Sequence, residues 1–322
     1  MNGMILWGPG KPLEMAELTP TLPPVGEVFI RLQSAALNKR DYWITQGKYP
    51  GIVYPLILGS DGAGMLDKRE VIINPGINWG DNPQHFGPGF KILGMPDNGS
   101  LAQLMKAPEQ NIYDKPSHLS WIEAAALPVA GVTAYRAMFT RGHAKPGEKL
   151  LITGVGGGVA TMALLFGVAI GMDVWVTSSS DQKIEKAIQH GAKGGVKYTT
   201  SSWQKDISEM VNDNFDLVLD GAGGPEFSKI ISLMNPAGRI VIYGGTAGTI
   251  SDLSPQRIFW KQLDILGTSM GSPHDFEHML DFVNQHKIKP IVSHTFSLEE
   301  ANEALAIIGR NEQFGKVCIE IT

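Results

Sequence analysis

The chain is expected to adopt an α/β fold, with a doubly wound parallel sheet and a second, β-rich domain that the carboxy-terminal tail completes. Three observations lead there. Strand-like and helical segments alternate between residues 121 and 268, and short β-type runs broken by turn residues fill the chain before Pro116. An apolar strand also runs directly into a glycine cluster at 154–158. At roughly 150 residues per domain, the 322 residues suggest about two domains. The pattern assigns 1–120 with 269–322 to the β-rich domain and 121–268 to the α/β domain.

In the first domain Glu27–Gln33, Val71–Ile73 and Ser100–Ala107 read as strands. Asn74 to Ser100 carries six Gly and four Pro without periodicity, so it reads as a long ordered loop or lobe. Ser120 and Glu123 have capping-box spacing and open a helix over Trp121–Phe139. Strands follow at Lys149–Thr153, Asp173–Thr177, Val196–Tyr198, Asp216–Asp220, Arg239–Tyr243 and Asp264–Thr268. Between them lie helices at Val159–Ile170, Asp181–His190, Trp203–Val211 and Pro225–Met234, and six strands is the count of a doubly wound nucleotide-binding sheet. The tail reads as helix Pro273–His286, strand Ser293–Phe296, helix Leu298–Gly309 and strand Lys316–Ile321. It is too short to fold alone and is expected to return to the first domain.

Composition removes several classes of function. With 27 Lys+Arg against 32 Asp+Glu, the net charge of −5 offers no positive field for a nucleic acid backbone. At 43% hydrophobic and 18% charged residues, the chain is too apolar for disorder. The single cysteine, Cys318, excludes an intramolecular disulfide and any zinc site needing two or more thiolates. The longest apolar run, Met162–Met172, falls far short of the ~20 residues that span a bilayer. Residues 1–15 lack the pattern of a signal peptide, so a soluble, cytoplasmic protein without membrane partners is expected.

The segment Leu150-Leu-Ile-Thr-Gly-Val-Gly-Gly-Gly-Val-Ala160 joins strand to helix through four glycines in five positions. Such a junction brings bare amides and the positive end of a helix against a pyrophosphate, so Gly156, Gly157, Gly158 and Val159 are candidate cofactor-binding residues. A tight strand-to-helix turn without ligand is the alternative. In NAD-preferring folds an acid ends the second strand, whereas here it ends Thr177-Ser-Ser-Ser180. Asp181 reads as a helix start. Ser178 and Ser180, with Lys183 one turn into the helix, suit a 2′-phosphate, which favours NADPH over NADH and over S-adenosylmethionine; Lys183 equally fits a solvated surface position. Tyr198, closing the third strand, joins the cofactor-binding set. None of the seven tyrosines has Lys four positions on, which sets aside short-chain dehydrogenases.

Four further motifs carry a resemblance along nearly the whole chain. They are Ala36-Leu-Asn38-Lys-Arg-Asp41 with Gly47-Lys-Tyr49-Pro50, Leu58-Gly-Ser-Asp-Gly-Ala-Gly64, Ala124-Ala-Ala-Leu-Pro-Val-Ala-Gly-Val-Thr-Ala-Tyr135, and Phe314-Gly-Lys-Val317. In this order and spacing the chain resembles the medium-chain dehydrogenase/reductase superfamily, and within it the zinc-free, quinone-oxidoreductase-like branch. The resemblance implies a Rossmann domain beside a GroES-like catalytic domain, an NADPH cofactor without zinc, a small-molecule substrate and a homodimer. It assigns Tyr49, Asn38, Asp41 and Thr133 to catalysis, and Gly244, Gly245 and Lys316 to the border of the cofactor. Tyr49 would donate a hydrogen bond or proton, and Asn38 and Asp41 would position the nicotinamide end. Plainer readings stand beside these: Tyr49 as a turn residue packed on Pro50, Asp41 as a helix cap, Thr133 as a helical packing residue.

The departures matter equally. Zinc-dependent relatives place Cys near Asn38, His-Glu at Ser60-Asp61 and a second Cys near the interdomain helix, and a four-Cys structural lobe would fall within 74–100. None of these residues is present, and Ala160 replaces the last glycine of the phosphate loop. His274 and His278 have a spacing that could hold a metal, but Ser272, Pro273 and Asp275 also make a good helix start. The expected activity is hydride transfer from NADPH to a quinone or an α,β-unsaturated carbonyl compound. A metal-free alcohol dehydrogenase-like enzyme and a non-catalytic NADPH-binding sensor or structural protein remain alternatives.

Overall fold

The computed structural model describes residues 1–322. The chain begins with strands β1 (Asn2–Leu6), β2 (Leu13–Glu17) and β3 (Glu27–Leu37), then helix α1 (Lys39–Thr45). Next come β4 (Leu56–Ile57), β5 (Asp61–Leu66), β6 (Arg69–Ile73), β7 (Gly76–Ile77), β8 (Lys91–Ile92), β9 (Leu104–Pro108) and β10 (Ile112–Asp114). Helices α2 (Trp121–Ala125) and α3 (Pro128–Tyr135) lead through a π-helical turn, Arg136–Arg141, to β11 (Lys149–Ile152) and α4 (Gly158–Ala169). The alternation continues with β12 (Asp173–Ser178), α5 (Asp181–Gln189), β13 (Gly194–Lys197), α6 (Trp203–Val211), β14 (Phe215–Asp220) and α7 (Phe227–Ser232). It closes with β15 (Met234–Ile242), α8 (Pro255–Lys261) and β16 (Asp264–Gly267). The tail forms α9 (Pro273–His286), β17 (Val292–Ser297), α10 (Ala301–Arg310) and β18 (Lys316–Glu320).

Two compact units result, Met1–Val132 with Ser272–Thr322, and Thr133–Gly271. The sequence pattern puts the divisions at 120 and 268. The first differs because α2 packs on β3, β5 and β18 of the first unit, and because Val129 in α3 donates its N–H to Asp61 there. The expected single helix over Trp121–Phe139 is interrupted at Ala126 and Leu127, since Pro128 has no N–H to continue an α-helical ladder and instead opens a new helix.

In the first unit a seven-stranded sheet has the order β10-β6-β5-β3-β18-β17, with β9 also pairing β3. The tail completes it: β18 runs antiparallel to β3, with Cys318 opposite Ala36, and parallel to β17. Ile30, Leu32, Leu58, Ile73, Val317 and Ile319 lie in its core, each 2% exposed or less. At about 1.5–3 kcal/mol per fully buried aliphatic side chain, this contact is what holds a tail too short to fold by itself.

In the second unit six parallel strands take the order β13-β12-β11-β14-β15-β16. Successive strands run outward from β11 in one direction and from β14 in the other, so the order reverses between these two neighbours. Ligands of open α/β sheets bind outside the carboxyl ends of the strands at such a point. The strands carry runs such as Leu150-Leu-Ile152 and Leu217-Val-Leu219 that are buried throughout, as a sheet covered on both faces requires. No helix is long and apolar enough to cross a membrane.

Candidate active site

The glycine loop sits at the reversal point. β11 ends at Ile152, and Thr153 turns its hydroxyl onto Asp220 at the end of β14 (2.5 Å). Asp220 also accepts the N–H of Gly223 at 2.8 Å, so one buried carboxylate ties the two strand ends together. Burial pushes its carboxyl above the ordinary range, opposed by the bonds from Thr153, Gly223 and Ala222. On the other side Val155 donates to the Thr177 carbonyl (2.7 Å) and Gly154 to the Thr177 hydroxyl (3.1 Å), which anchors the loop to β12. The backbone at Gly157 then enters α4, whose first N–H groups have no intrahelical acceptor. A Cβ built at Gly157 meets no atom within 4 Å, and the same holds at Gly245 beyond β15. The backbone at Gly157 therefore borders open space at a helix start, and with the partly exposed Gly158 and Val159 beside it makes a candidate cradle for a pyrophosphate, whereas Gly156 is buried. Gly244 has a different role. A Cβ there would lie 2.8 Å from the Gly221 carbonyl, so it lets two strand-end loops approach each other.

At the end of β12 the candidates divide. Ser178 is buried, accepts the N–H of Ser180 at 3.3 Å and reaches the Val155 carbonyl at 3.5 Å. Its hydroxyl supports the loop from beneath. Ser180 is the N-cap residue of α5 with no side-chain capping bond, Lys183 stands in the first turn and Tyr198 is 40% exposed. Lys197, absent from the expected set, pairs with Asp181, the first residue of α5, at 2.8 Å. Thr133 is 5% exposed within α3.

The first unit gathers Asn38, Asp41 and Lys316. Asp41 is wholly buried and accepts the backbone N–H of Asn38 at 2.7 Å, the reciprocal half of a capping box at the start of α1. Its cap reading is realised through Oδ2, while Oδ1 is buried without a hydrogen-bond partner. Burial pushes its carboxyl up, and the adjacent Arg40 opposes the shift. The side chain of Asn38 turns away from the helix. Its Nδ2 donates to Asp61 (2.8 Å) and its Oδ1 accepts from Lys316 (2.7 Å). Lys316 also donates to Asp61 Oδ2 at 2.7 Å, and Val129 N–H satisfies Asp61 Oδ1 at 2.8 Å. Lys316 is 3% exposed, so the structure shows it as the centre of a buried polar cluster.

Tyr49 is half-buried, its ring facing the guanidinium of Arg40 with 5.3 Å between Cζ and the ring centroid. Arg40 in turn donates to Ser60 Oγ and to the Leu93 carbonyl. Arg40, Ser60 and Asp61 complete this site, and sequence reasoning gave the arginine no role. The signal was present in its position between two motif residues, Asn38 and Asp41.

The donors at the positions where zinc-dependent relatives place metal ligands are engaged by cationic side chains. Asn38 and Asp61 hold the Lys316 ammonium, Ser60 is engaged by Arg40, and no group of three or more His, Cys, Asp or Glu side chains could hold a metal ion. A divalent ion there would share the place with two cationic side chains. At His274 and His278 the helix-start reading is realised, with Ser272 and Asp275 forming a capping box and Pro273 in the first turn.

This fold and site define the scaffold of an oxidoreductase with separate nucleotide-binding and GroES-like parts. Residues 24–117 match the family model of the alcohol dehydrogenase GroES-like domain, and residues 158–285 that of the zinc-binding dehydrogenases. A zinc-type alcohol dehydrogenase-like protein of Leptosphaeria maculans is 37% identical over 96% of this chain and 95% of its own. An acryloyl-coenzyme A reductase of Sulfurisphaera tokodaii is 27% identical over 99% of this chain and 100% of its own. Among solved structures, an NAD-dependent alcohol dehydrogenase superposes with a TM-score of 0.93 at 32% identity, covering 100% of both chains. The quinone oxidoreductase of Thermus thermophilus, solved also with NADPH, gives 0.83 at 26% identity over 99% of this chain and 100% of its own. The chain belongs to the medium-chain dehydrogenase/reductase superfamily.

Proposed function

We propose that the protein is an NADPH-dependent reductase of small activated carbonyl compounds, quinones or α,β-unsaturated carbonyls, that works without zinc. The observation that carries this reading is the Lys316 ammonium held between Asn38 and Asp61, at positions where zinc-dependent relatives supply metal ligands. Without a Lewis acid, an acceptor already activated by conjugation is the easier substrate, because the incoming charge is delocalised. A similar quinone oxidoreductase and a similar acryloyl-coenzyme A reductase support this class of acceptor.

A bound nicotinamide would supply the hydride. The backbone of Gly156–Val159 would hold the pyrophosphate, and the Thr153–Asp220 contact keeps that loop in place at the strand ends. With Asp181 paired to Lys197, no free acid selects for ribose hydroxyls, and Ser180 and Lys183 suit a 2′-phosphate. In the first unit Tyr49 presents a hydroxyl that can donate to the carbonyl oxygen. Loss of NADPH absorbance against a panel of quinones, enals and enones, with elemental analysis of the same preparation, tests the reading. Turnover without stoichiometric zinc is expected. Stoichiometric zinc, or tight NADPH binding with no turnover across the panel, refutes it.

A further inference from the structure

We propose that Arg40 supplies the positive charge that receives the substrate oxygen when hydride arrives, and that the enzyme thereby favours acceptors whose reduction passes through an oxyanion. The inference rests on the proposed reductase function and assigns within it a residue with no role in the sequence motifs.

Three features of Arg40 point to a missing anion. Its guanidinium has five N–H donors, yet only Nη1 is used, toward the neutral oxygens of Ser60 and Leu93. Nε is buried without an acceptor. The nearest acid in sequence, Asp41, directs its carboxylate to the Asn38 N–H and forms no hydrogen-bonded pair with Arg40. Asp41 offsets part of the charge through space, but a half-buried guanidinium with an orphaned Nε and no hydrogen-bonded acid is costly to hold, and an anion meeting it is correspondingly favoured. The Arg40 guanidinium lies over the Tyr49 ring, 5.3 Å from Cζ to the centroid, which brings a hydroxyl-bearing side chain beside it.

Two other cations of this region, Lys316 and Lys39, are already hydrogen-bonded, and a third, Lys48, is exposed. Lys316 is sealed between Asn38 and Asp61; Lys39 donates to the Ile308 carbonyl and to Asn311; Lys48 lies over the Trp43 ring. Arg40 is the cation that lies over the Tyr49 ring, and its hydrogen bonds to Ser60 and Leu93 leave donors unused. The chemistry needs such a group. Hydride leaving a C–H bond of the dihydronicotinamide would form a C–H bond at the β-carbon of an enal or enone. The C=C π pair shifts to the bond between the α-carbon and the carbonyl carbon, and the C=O π pair goes to oxygen, giving an enolate. The nicotinamide is oxidised to NADP⁺, and a proton from Tyr49 or water then neutralises the enolate. A quinone follows the same balance to the hydroquinone. In both, two electrons place a full charge on oxygen, where a preorganised donor acts most strongly.

The test uses the full-length enzyme with Arg40→Met, Arg40→Lys and Arg40→Ala, assayed with NADPH and an enal. Arg40→Met is expected to lower kcat/KM by about 100-fold or more, chiefly through kcat, the size of effect seen when an oxyanion donor is removed. Arg40→Lys should recover part of that loss, and added guanidinium ion should restore activity to Arg40→Ala. Calorimetry should show unchanged NADPH affinity in all three, which reports an intact nucleotide-binding unit. Arg40→Met activity within threefold of the parent overturns the inference. So does a loss that neither lysine nor guanidinium repairs, because Arg40 would then only brace Ser60 and Leu93. If the parent enzyme reduces no acceptor, the proposed function itself falls and the inference with it; the parent assay therefore separates the two failures.

Discussion

The Lys316 ammonium meets the Asp61 carboxylate at 2.7 Å with both side chains closed to solvent, 3% and 0% exposed. A pair this deep survives because its remaining hydrogen-bonding capacity is met by Asn38 and the Val129 N–H. Removing one member leaves the other as an uncompensated buried charge. Asp61→Asn and Lys316→Met should each lower unfolding free energy by about 3–5 kcal/mol. The double replacement should cost less than the sum of the singles. Urea denaturation of the three variants measures this, and strict additivity would contradict the pairing.

Gly157 separates cofactor binding from folding. Its backbone has φ −80° and ψ 163°, which any residue adopts, and a Cβ there meets nothing. Gly157→Asp should therefore change stability by only about 0.5–1 kcal/mol, as for an ordinary surface change. The same carboxylate, placed where a pyrophosphate is expected, should weaken NADPH binding by at least about tenfold, which is about 1.4 kcal/mol. Calorimetry with NADPH and thermal melts of the apo protein give the two readouts. Equal NADPH affinity in the variant would remove the loop from the binding site.

Nucleotide preference should be reversible at the end of β12. Ser180→Asp puts a carboxylate where the chain has a hydroxyl, while the native Asp181 stays paired with Lys197. A shift of about tenfold or more from NADPH toward NADH in kcat/KM is expected, since the added charge repels a 2′-phosphate and accepts from ribose hydroxyls. An unchanged ratio would place 2′-phosphate recognition elsewhere.

Cys318 should be inert in the native protein. It lies in β18 beside Lys316, its Sγ faces the Ile122 carbonyl, and burial pushes the thiol up to about 12. Thiolate is the reactive form, so a thiol reagent at about pH 8 should label the chain only after unfolding. Stoichiometric labelling of the folded protein would show that the tail does not dock as described.

Asp220 sets a pH dependence of known sign. Its folded carboxyl is raised above the unfolded value by burial, so its contribution to stability is greatest below the unfolded value and declines as pH rises through the folded one. Asp220→Asn removes that decline. The stability of the variant relative to the parent should therefore grow as pH rises out of the ordinary carboxylate range, as denaturation at a series of pH values would show. A constant difference would mean Asp220 titrates alike in both states.

Much of the second unit was legible because its strands are apolar runs of period-matched length, and because glycine at 154–158 marks one end of the first strand. The helix over Lys39–Thr45 was harder. At seven residues it shows too little periodicity, although Asn38 and Asp41 already have capping-box spacing. Helix α8 escaped for another reason: none of its residues is buried, and Phe259 and Trp260 stand exposed, so no amphipathic stripe marks it. The 74–100 lobe is organised by Trp79, Phe86 and Phe90, whose rings contact one another at 4.6–5.6 Å across irregular spacing. Lys316 and Asn38 lie 278 positions apart, and only the pairing of β18 with β3 brings them together.

The place where that lobe joins the rest of the unit has its own consequence. A Cβ on Gly99 would overlap the Gly59 carbonyl oxygen, and one on Gly94 would overlap the same atom. Three bare backbones thus cross at a single point next to Ser60 and Asp61. The crossing admits not even a methyl group. A side chain at any of these three glycines would push the lobe away from the segment that carries Ser60 and Asp61.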